Sequence, residues 1–497
     1  MEAADDMTDP LRAWLPRLAR VLFSALLLAA VASPPGILSA QERALYQSDF
    51  PPGELAARRR KVLDAIGNSA IAIVQGAPSV RGFEVFRQSN ELYYLTGLEV
   101  PHAYLLLDGR SGRTTLYLPH RDQERERNEG KQLAAEDAEE VKGLTGVEAV
   151  YGSDLMARHF RGMLVRAPFP ALYTPFAPAE GRVESRDELL GGIAGLASDP
   201  WDGRGSREGQ FLGLLRTRFP QFELKDLSPI LDELRLIKSP REIALLRRAA
   251  QLAGQGLVEA MRSTRPGVME YQLDAAARYI FHVNGARGEA YSSITAGGQN
   301  AWYGHYFHNK SRLEDGQMVL MDFAPDYRYY ASDVARMWPV NGRYTADQRK
   351  LGSFILGIHK ALLKRIRPGV TVDQILDDAA PEMGEILERT GFTNPNHRRA
   401  AEAAVKWRGH LSHPVGMTVH DVGNYKDRPL RPGMVFAPDP MLWVPEEKLY
   451  VRIEDTVAVT ESGVDNLSGP FVPSELDEIA ALCAKGDGIV QKRPPLP

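Results

Sequence analysis

The stretches Leu313–Asp322 (Leu-Glu-Asp-Gly-Gln-Met-Val-Leu-Met-Asp) and Leu430–Asp439 (Leu-Arg-Pro-Gly-Met-Val-Phe-Ala-Pro-Asp) spell one pattern twice: a turn glycine, then an acid six residues later. Each acid is followed within a hairpin's length by another, Asp333 coming 11 residues after Asp322 and Glu454 coming 15 after Asp439. A second repeat runs alongside the first. Arg265-Pro-Gly-Val and Arg367-Pro-Gly-Val, 102 residues apart, each follow a helical stretch, so both halves read helix, turn, helix, hairpin with two acids. Two matches in the same order predict an α+β domain made of two copies of one unit, facing each other across a cleft. A pseudo-twofold pair of hairpins would gather the four carboxylates at its axis.

Four carboxylates in a partly desolvated cleft repel one another and rise in pKa unless cations neutralise them. Two divalent metal ions answer that need and lower the pKa of a shared water. Between the hairpins lies Gly409-His-Leu-Ser-His-Pro-Val-Gly-Met-Thr-Val-His-Asp421, which supplies an imidazole. The candidate metal ligands are therefore Asp322, Asp333, His413, Asp439 and Glu454, a hard-oxygen and nitrogen set that suits manganese, cobalt, iron or zinc. His305 and His420 are the candidates for proton transfer or for holding a tetrahedral intermediate. Arg452 lies on the same strand face as Glu454, placed to meet a substrate carboxylate or a metal-bound acid. His410 is read either as substrate-binding or as a residue that orients its loop. The signatures of zincins, serine hydrolases and P-loop nucleotide enzymes are missing.

At 497 residues the chain exceeds one ordinary core, so two folded domains are expected. A net charge of −4 gives no reason to expect nucleic acid as a partner. The single cysteine, Cys483, excludes an intrachain disulfide and a thiolate metal cluster. Arg12, Arg17 and Arg20 precede the apolar run Val21–Ala32 and the small residues Ser39-Ala40, a pattern that predicts a secretory signal over residues 1–40 and an exported, periplasmic or extracellular, protein. No later segment reads as membrane-spanning. From 41 to 225, short β-rich runs (Ala70–Val74, Ala103–Leu107, Thr114–Leu118) alternate with helical stretches such as Gly53–Ile66, as in an α/β domain. Residues 180–208, rich in Gly, Asp, Arg and Ser, read as an exposed loop or insertion. The duplicated domain is expected over 226–475, opened by the capping box of Ser239, Pro240 and Glu242, with a C-terminal tail over 476–497.

At these residues the chain resembles the metallopeptidases that include aminopeptidase P, prolidase and methionine aminopeptidase, whose catalytic domain is the pita-bread fold. Ser332–Thr345, Val451–Asp455 and the seven-residue step from His413 to His420 are similar to that family's ligand-bearing segments. Phe86–Gly97 is similar to the N-terminal domain of aminopeptidase P and prolidase, which methionine aminopeptidase lacks. The resemblance covers most of residues 45–475. It implies an Xaa-Pro aminopeptidase that uses two divalent ions, most commonly manganese, and acts on proline-containing peptides; prolidase or a non-catalytic peptide-binding member are the alternatives. A homo-oligomer is compatible with it. Two positions depart from the family pattern: the fourth ligand, normally Glu within Glu-Pro-Gly, is Asp439 within Asp-Pro-Met, and the His expected four before His413 is Gly409.

Overall fold

The computed structural model describes residues 46–80, 82–166 and 171–493, so the expected signal at 1–40 lies outside the described residues. The segment Asp122–Gln132 clusters apart and is described by itself: a helix Gln123–Glu129, whose N-cap Asp122 accepts hydrogen bonds from the backbone N–H groups of Glu124 and Arg125. Everything that follows concerns the other unit, Tyr46–Arg121 with the chain from Leu133 onward.

Its first half is built on a six-stranded sheet in the order β4-β3-β2-β1-β5-β6. The strands are β1 Ala70–Gln75, β2 Tyr104–Asp108, β3 Arg113–Leu118, β4 Ala149–Gly152, β5 Ala171–Thr174 and β6 Glu223–Asp226. Strand β1 runs antiparallel to β2 and parallel to β5. Successive β1 side chains alternate between two cores: Ala70, Ala72 and Val74 pack on one face, Ile71 and Ile73 on the other. A strand apolar on both faces belongs in a sheet covered on both sides, which this one is.

Residues 180–208 are not the loop that their composition predicts. They contain the helix Arg186–Ser198, and Ser206 caps a second helix, Arg207–Arg218, by accepting from the backbone N–H of Gly209. Leu189, Ile193 and Leu196 do recur at helical spacing, but Gly191, Gly192 and Gly195 between them mask the period.

The second half carries out the duplication. Its opening helix, Pro240–Ser263, has the expected capping box, with the Ser239 hydroxyl accepting from the Glu242 N–H and the Glu242 carboxylate accepting from the Ser239 N–H. In the first copy Gly267 N–H donates to Leu313 O and Leu313 N–H to Val268 O, each at 2.8 Å. In the second copy Gly369 N–H donates to Leu430 O and Leu430 N–H to Val370 O, again at 2.8 Å. The Arg-Pro-Gly-Val turns therefore close onto equivalent hairpin starts. Both turn glycines are left-handed, at φ 94° and 86°, as are the hairpin glycines Gly316 and Gly433 at 81° and 88°.

The first copy contributes β7 Gly288–Glu289, β8 Ile294–Gly297, β9 Met318–Asp322, β10 Pro325–Asp326 and β11 Ala335–Pro339. The second contributes β12 Leu411–Pro414, β13 Val435–Pro438, β14 Met441–Val444, β15 Leu449–Arg452, β16 Val457–Val459 and β17 Val464–Asn466. They form sheets β11-β9-β8 and β12-β13-β16-β17, with β14 and β15 as a separate hairpin and β7 paired to β10. Ala335 and Glu454 exchange backbone hydrogen bonds at 3.1 and 3.2 Å, which joins the two copies. The helices Ala346–Leu363 and Val372–Thr390 share one core with Leu320, Met337 and Phe436; Pro240–Ser263 and Glu270–Val283 share another with Val319, Met321 and Trp338. Among the described residues no helix is long and apolar enough to cross a membrane.

Candidate metal centre

The junction of the two copies is where the acids meet. Asp322 ends β9 opposite Ala335, and Asp333 lies two residues before β11, pinned by a backbone N–H to the Thr456 hydroxyl at 2.8 Å. Asp439 directly follows β13 and donates its N–H to His410 O at 2.7 Å; Glu454 follows β15 within the inter-copy bridge. All four are at most 2% exposed. His413, on β12, places Nε2 3.2 Å from Asp333 Oδ2 and 3.9 Å from Glu454 Oε1.

Arg452 works among these acids. Its Nη1 lies 2.6 Å from Asp322 Oδ2, its Nε 2.7 Å from Asp439 Oδ1 and its Nη2 2.5 Å from Glu454 Oε2. Of the two partners its position in the sequence allowed, the metal-site acid is the one it meets; buried and engaged three times, it is not free for a substrate carboxylate, so the substrate-binding expectation is corrected. The sequence reading missed Tyr291, whose hydroxyl lies 2.6 Å from Asp322 Oδ1 and 2.8 Å from Asp333 Oδ1. No spacing marks it, because it reaches the acids from a loop ahead of β8.

The donor set fits a divalent cation. Among the described residues, Asp439 Oδ2 and Glu454 Oε1 are buried without a hydrogen-bond partner, a costly state that a metal ion relieves. Asp333, His413 and Glu454 each offer an atom within 4.8 Å of the others. Burial raises the pKa of Asp322, Asp439 and Glu454; Arg452 pulls against the rise without cancelling it, and the neighbouring charge of Asp333 adds to it. Burial also pushes Asp333 up, but the hydrogen bond and charge of His413 outweigh it and hold Asp333 below the ordinary carboxylate range. Four acids against one guanidinium leave an excess of negative charge that divalent ions neutralise.

Beyond the acids the imidazoles form a row, with the His420 ring 4.1 Å from that of His413 and 6.5 Å from that of His305. His305 is exposed and stacks on Phe307. His420 Nδ1 lies 2.7 Å from Asp187 Oδ2. His410 does not join the row. It is fully buried, with Nε2 on Ala404 O and its ring edge-on to Trp407, and burial drops its pKa to about 4. The substrate-binding reading of His410 is therefore replaced by its loop-orienting one, since a buried ring cannot reach a peptide. The loop that bears His413 and His420 is anchored by Asp421, whose carboxylate meets Arg235 at 2.5 Å and Lys238 at 2.9 Å.

Two copied α+β units with buried acids and a histidine at their junction make a site suited to a divalent metal, and similarity to known proteins puts the chain among the metallopeptidases. Metallopeptidase family M24 matches residues 244–461, and the aminopeptidase P N-terminal domain matches residues 55–172. The Xaa-Pro aminopeptidase of Escherichia coli (strain K12) is 30% identical, over 88% of this chain and 100% of the relative. Xaa-Pro aminopeptidase 3 of Mus musculus is 31% identical over 80% of this chain and 77% of the relative. Among solved structures, aminopeptidase P from E. coli with the inhibitor Pro-Leu superposes with a TM-score of 0.71 at 27% identity, covering 88% of this chain and 99% of that one. The chain belongs to the aminopeptidase P family of M24 metallopeptidases, and is a hydrolase with the pita-bread catalytic domain.

Proposed function

We propose that this protein is an exported Xaa-Pro aminopeptidase that removes the N-terminal residue from peptides with proline second, using two divalent ions, manganese first among them. The observation that carries the reading is the grouping of Asp333, His413 and Glu454, with buried Asp322 and Asp439 beside them and, among the described residues, Asp439 Oδ2 and Glu454 Oε1 left without hydrogen-bond partners. Its relatives are named for this activity. Export is supported by the arginines and apolar run before residue 40.

Asp322, Asp333, His413, Asp439 and Glu454 would hold the metal, with Asp333, His413 and Glu454 the three whose donor atoms lie within 4.8 Å of one another. Metal bound there supplies Lewis-acid activation of a water and of the scissile carbonyl. Arg452 and Tyr291 hold Asp322 in a fixed orientation from two sides, so little reorganisation is needed when charge develops. His420 has Nδ1 engaged by Asp187, which leaves Nε2 of the neutral ring to accept a proton or a hydrogen bond from the substrate, and to donate only once it has taken up that proton. His305, exposed at the end of the row, would meet the peptide rather than the acids. Mass spectrometry of the products from an Xaa-Pro-Yaa tripeptide and from an Xaa-Pro dipeptide tests the proposal. Free Xaa and Pro-Yaa are expected from the tripeptide; cleavage confined to the dipeptide would instead identify a prolidase.

A further inference from the structure

We propose that Asp187 is a positioning residue for His420, fixing the ring's orientation and holding its proton on Nδ1. This rests on His420 acting on the substrate, as proposed above. The two residues are 233 apart in the chain, and Asp187 belongs to the first half of the molecule, in the second position of the helix Arg186–Ser198. Its Oδ2 lies 2.7 Å from His420 Nδ1.

The contact is not left to one flexible side chain. Ser185, buried before Asp187, accepts the backbone N–H of His420 at 3.3 Å, so main chain and ring of the histidine dock on the same short segment. Arg186, between them, places Nη1 2.7 Å from both Asp232 oxygens and Nη2 3.0 Å from Glu91 Oε1. On the histidine's side, Asp421 is held by Arg235, and Arg235 also meets Glu180 at 2.6 Å. One buried network thus fixes both the segment that carries Asp187 and the loop that carries His420. The acceptor at Nδ1 decides which nitrogen keeps the proton, and a carboxylate there leaves Nε2 unprotonated in the neutral ring. Asp187 is 60% exposed at its side chain, and pairs this exposed contribute little to stability. Its effect belongs in turnover rather than in folding.

The test uses the full chain with Asp187→Ala, Asp187→Asn and His420→Ala. Turnover is measured on manganese-loaded protein, and the imidazole nitrogen shifts of His420 by NMR on zinc-loaded protein. Asp187→Ala is expected to lower kcat about 10-fold, the smaller end of losses seen when a histidine's carboxylate partner is removed, while KM, bound metal and Tm stay near the parent's. Asp187→Asn, which keeps an oxygen acceptor, is expected to recover most of the lost kcat. In the parent the proton should reside on Nδ1, and in Asp187→Ala it should redistribute to Nε2. An unchanged tautomer in Asp187→Ala overturns the positioning role whatever the rates do. A loss of kcat in Asp187→Ala and Asp187→Asn alike that tracks a lower Tm overturns it in favour of docking alone. His420→Ala with parental kcat would instead overturn the role given to His420, a separate failure that the NMR measurement distinguishes.

Discussion

A single guanidinium stands among four buried acids, and the chemistry at the residue scale follows from that imbalance. Removing Arg452 leaves Asp322, Asp439 and Glu454 uncompensated. Arg452→Met should cost the metal-free protein about 3–5 kcal/mol, the range for breaking a buried charge pair from one side, and should enlarge the stabilisation that added metal gives. Chemical denaturation with and without manganese measures both, and a metal-induced gain no larger than the parent's would refute the balance described. Asp439 is the other decisive position, with one oxygen on Arg452 and the other without a partner among the described residues. Asp439→Glu restores the missing methylene and should tighten metal binding by about tenfold, a modest effect on the scale of changes around metal ligands. Isothermal titration checks this; equal affinity would show that the hairpin already compensates for the shorter arm. The five candidate ligands could be picked out because Asp322 and Asp439 each lie six residues after a turn glycine, Asp333 and Glu454 follow within a hairpin's length, and His413 lies in a histidine run. Tyr291 was not, and Arg452 only in part, since which acid a side chain meets across a cleft is not written in local spacing.

Between elements, the duplication was legible because Pro-Gly turns and Gly-x-Met-Val starts are short-range signals with conformational causes. The two hairpin turns nevertheless differ in their surroundings. A Cβ at Gly316 would meet open space, whereas one at Gly433 would sit 2.9 Å from Lys238 O and 3.0 Å from Ile237 Cγ2. Gly316→Ala should therefore cost only the left-handed backbone penalty, about 1–2 kcal/mol, and Gly433→Ala distinctly more because a backbone carbonyl must also move. Equal shifts in urea midpoint for the two variants would contradict this. The helix Arg186–Ser198 shows where element-scale reading fails. Its glycines hide the apolar period, and what anchors its start, Arg186 to Glu91 and Asp232, lies far off in sequence.

Over the whole molecule, charges buried between segments distant in sequence hold the site in place. Arg235, 1% exposed, meets both Glu180 and Asp421, so Arg235→Ala should destabilise the protein by about 3–5 kcal/mol and loosen the His413–Asp421 loop, seen as faster amide exchange there. The acids make stability depend on pH in a definite direction. Asp322, Asp439 and Glu454 have raised pKa values in the folded chain, so the stability they contribute is present below the unfolded value near about 4 and lost as pH rises through the raised values. Asp333, shifted down, acts oppositely but is one against three. The Tm difference between metal-loaded and metal-free protein should accordingly widen from pH 5 to pH 8; a constant difference would refute it. Domain order and the copied halves could be read from the chain because they follow sequence order, while the network around Arg235 could not, its partners being 55 and 186 residues away. The most direct test is the rate at which the N-terminal residue leaves an Xaa-Pro-Yaa tripeptide as manganese is titrated into chelator-stripped protein. A saturable rise from a negligible rate is expected; the same rate in the stripped protein, or none at saturating metal, would contradict a metal-dependent Xaa-Pro aminopeptidase.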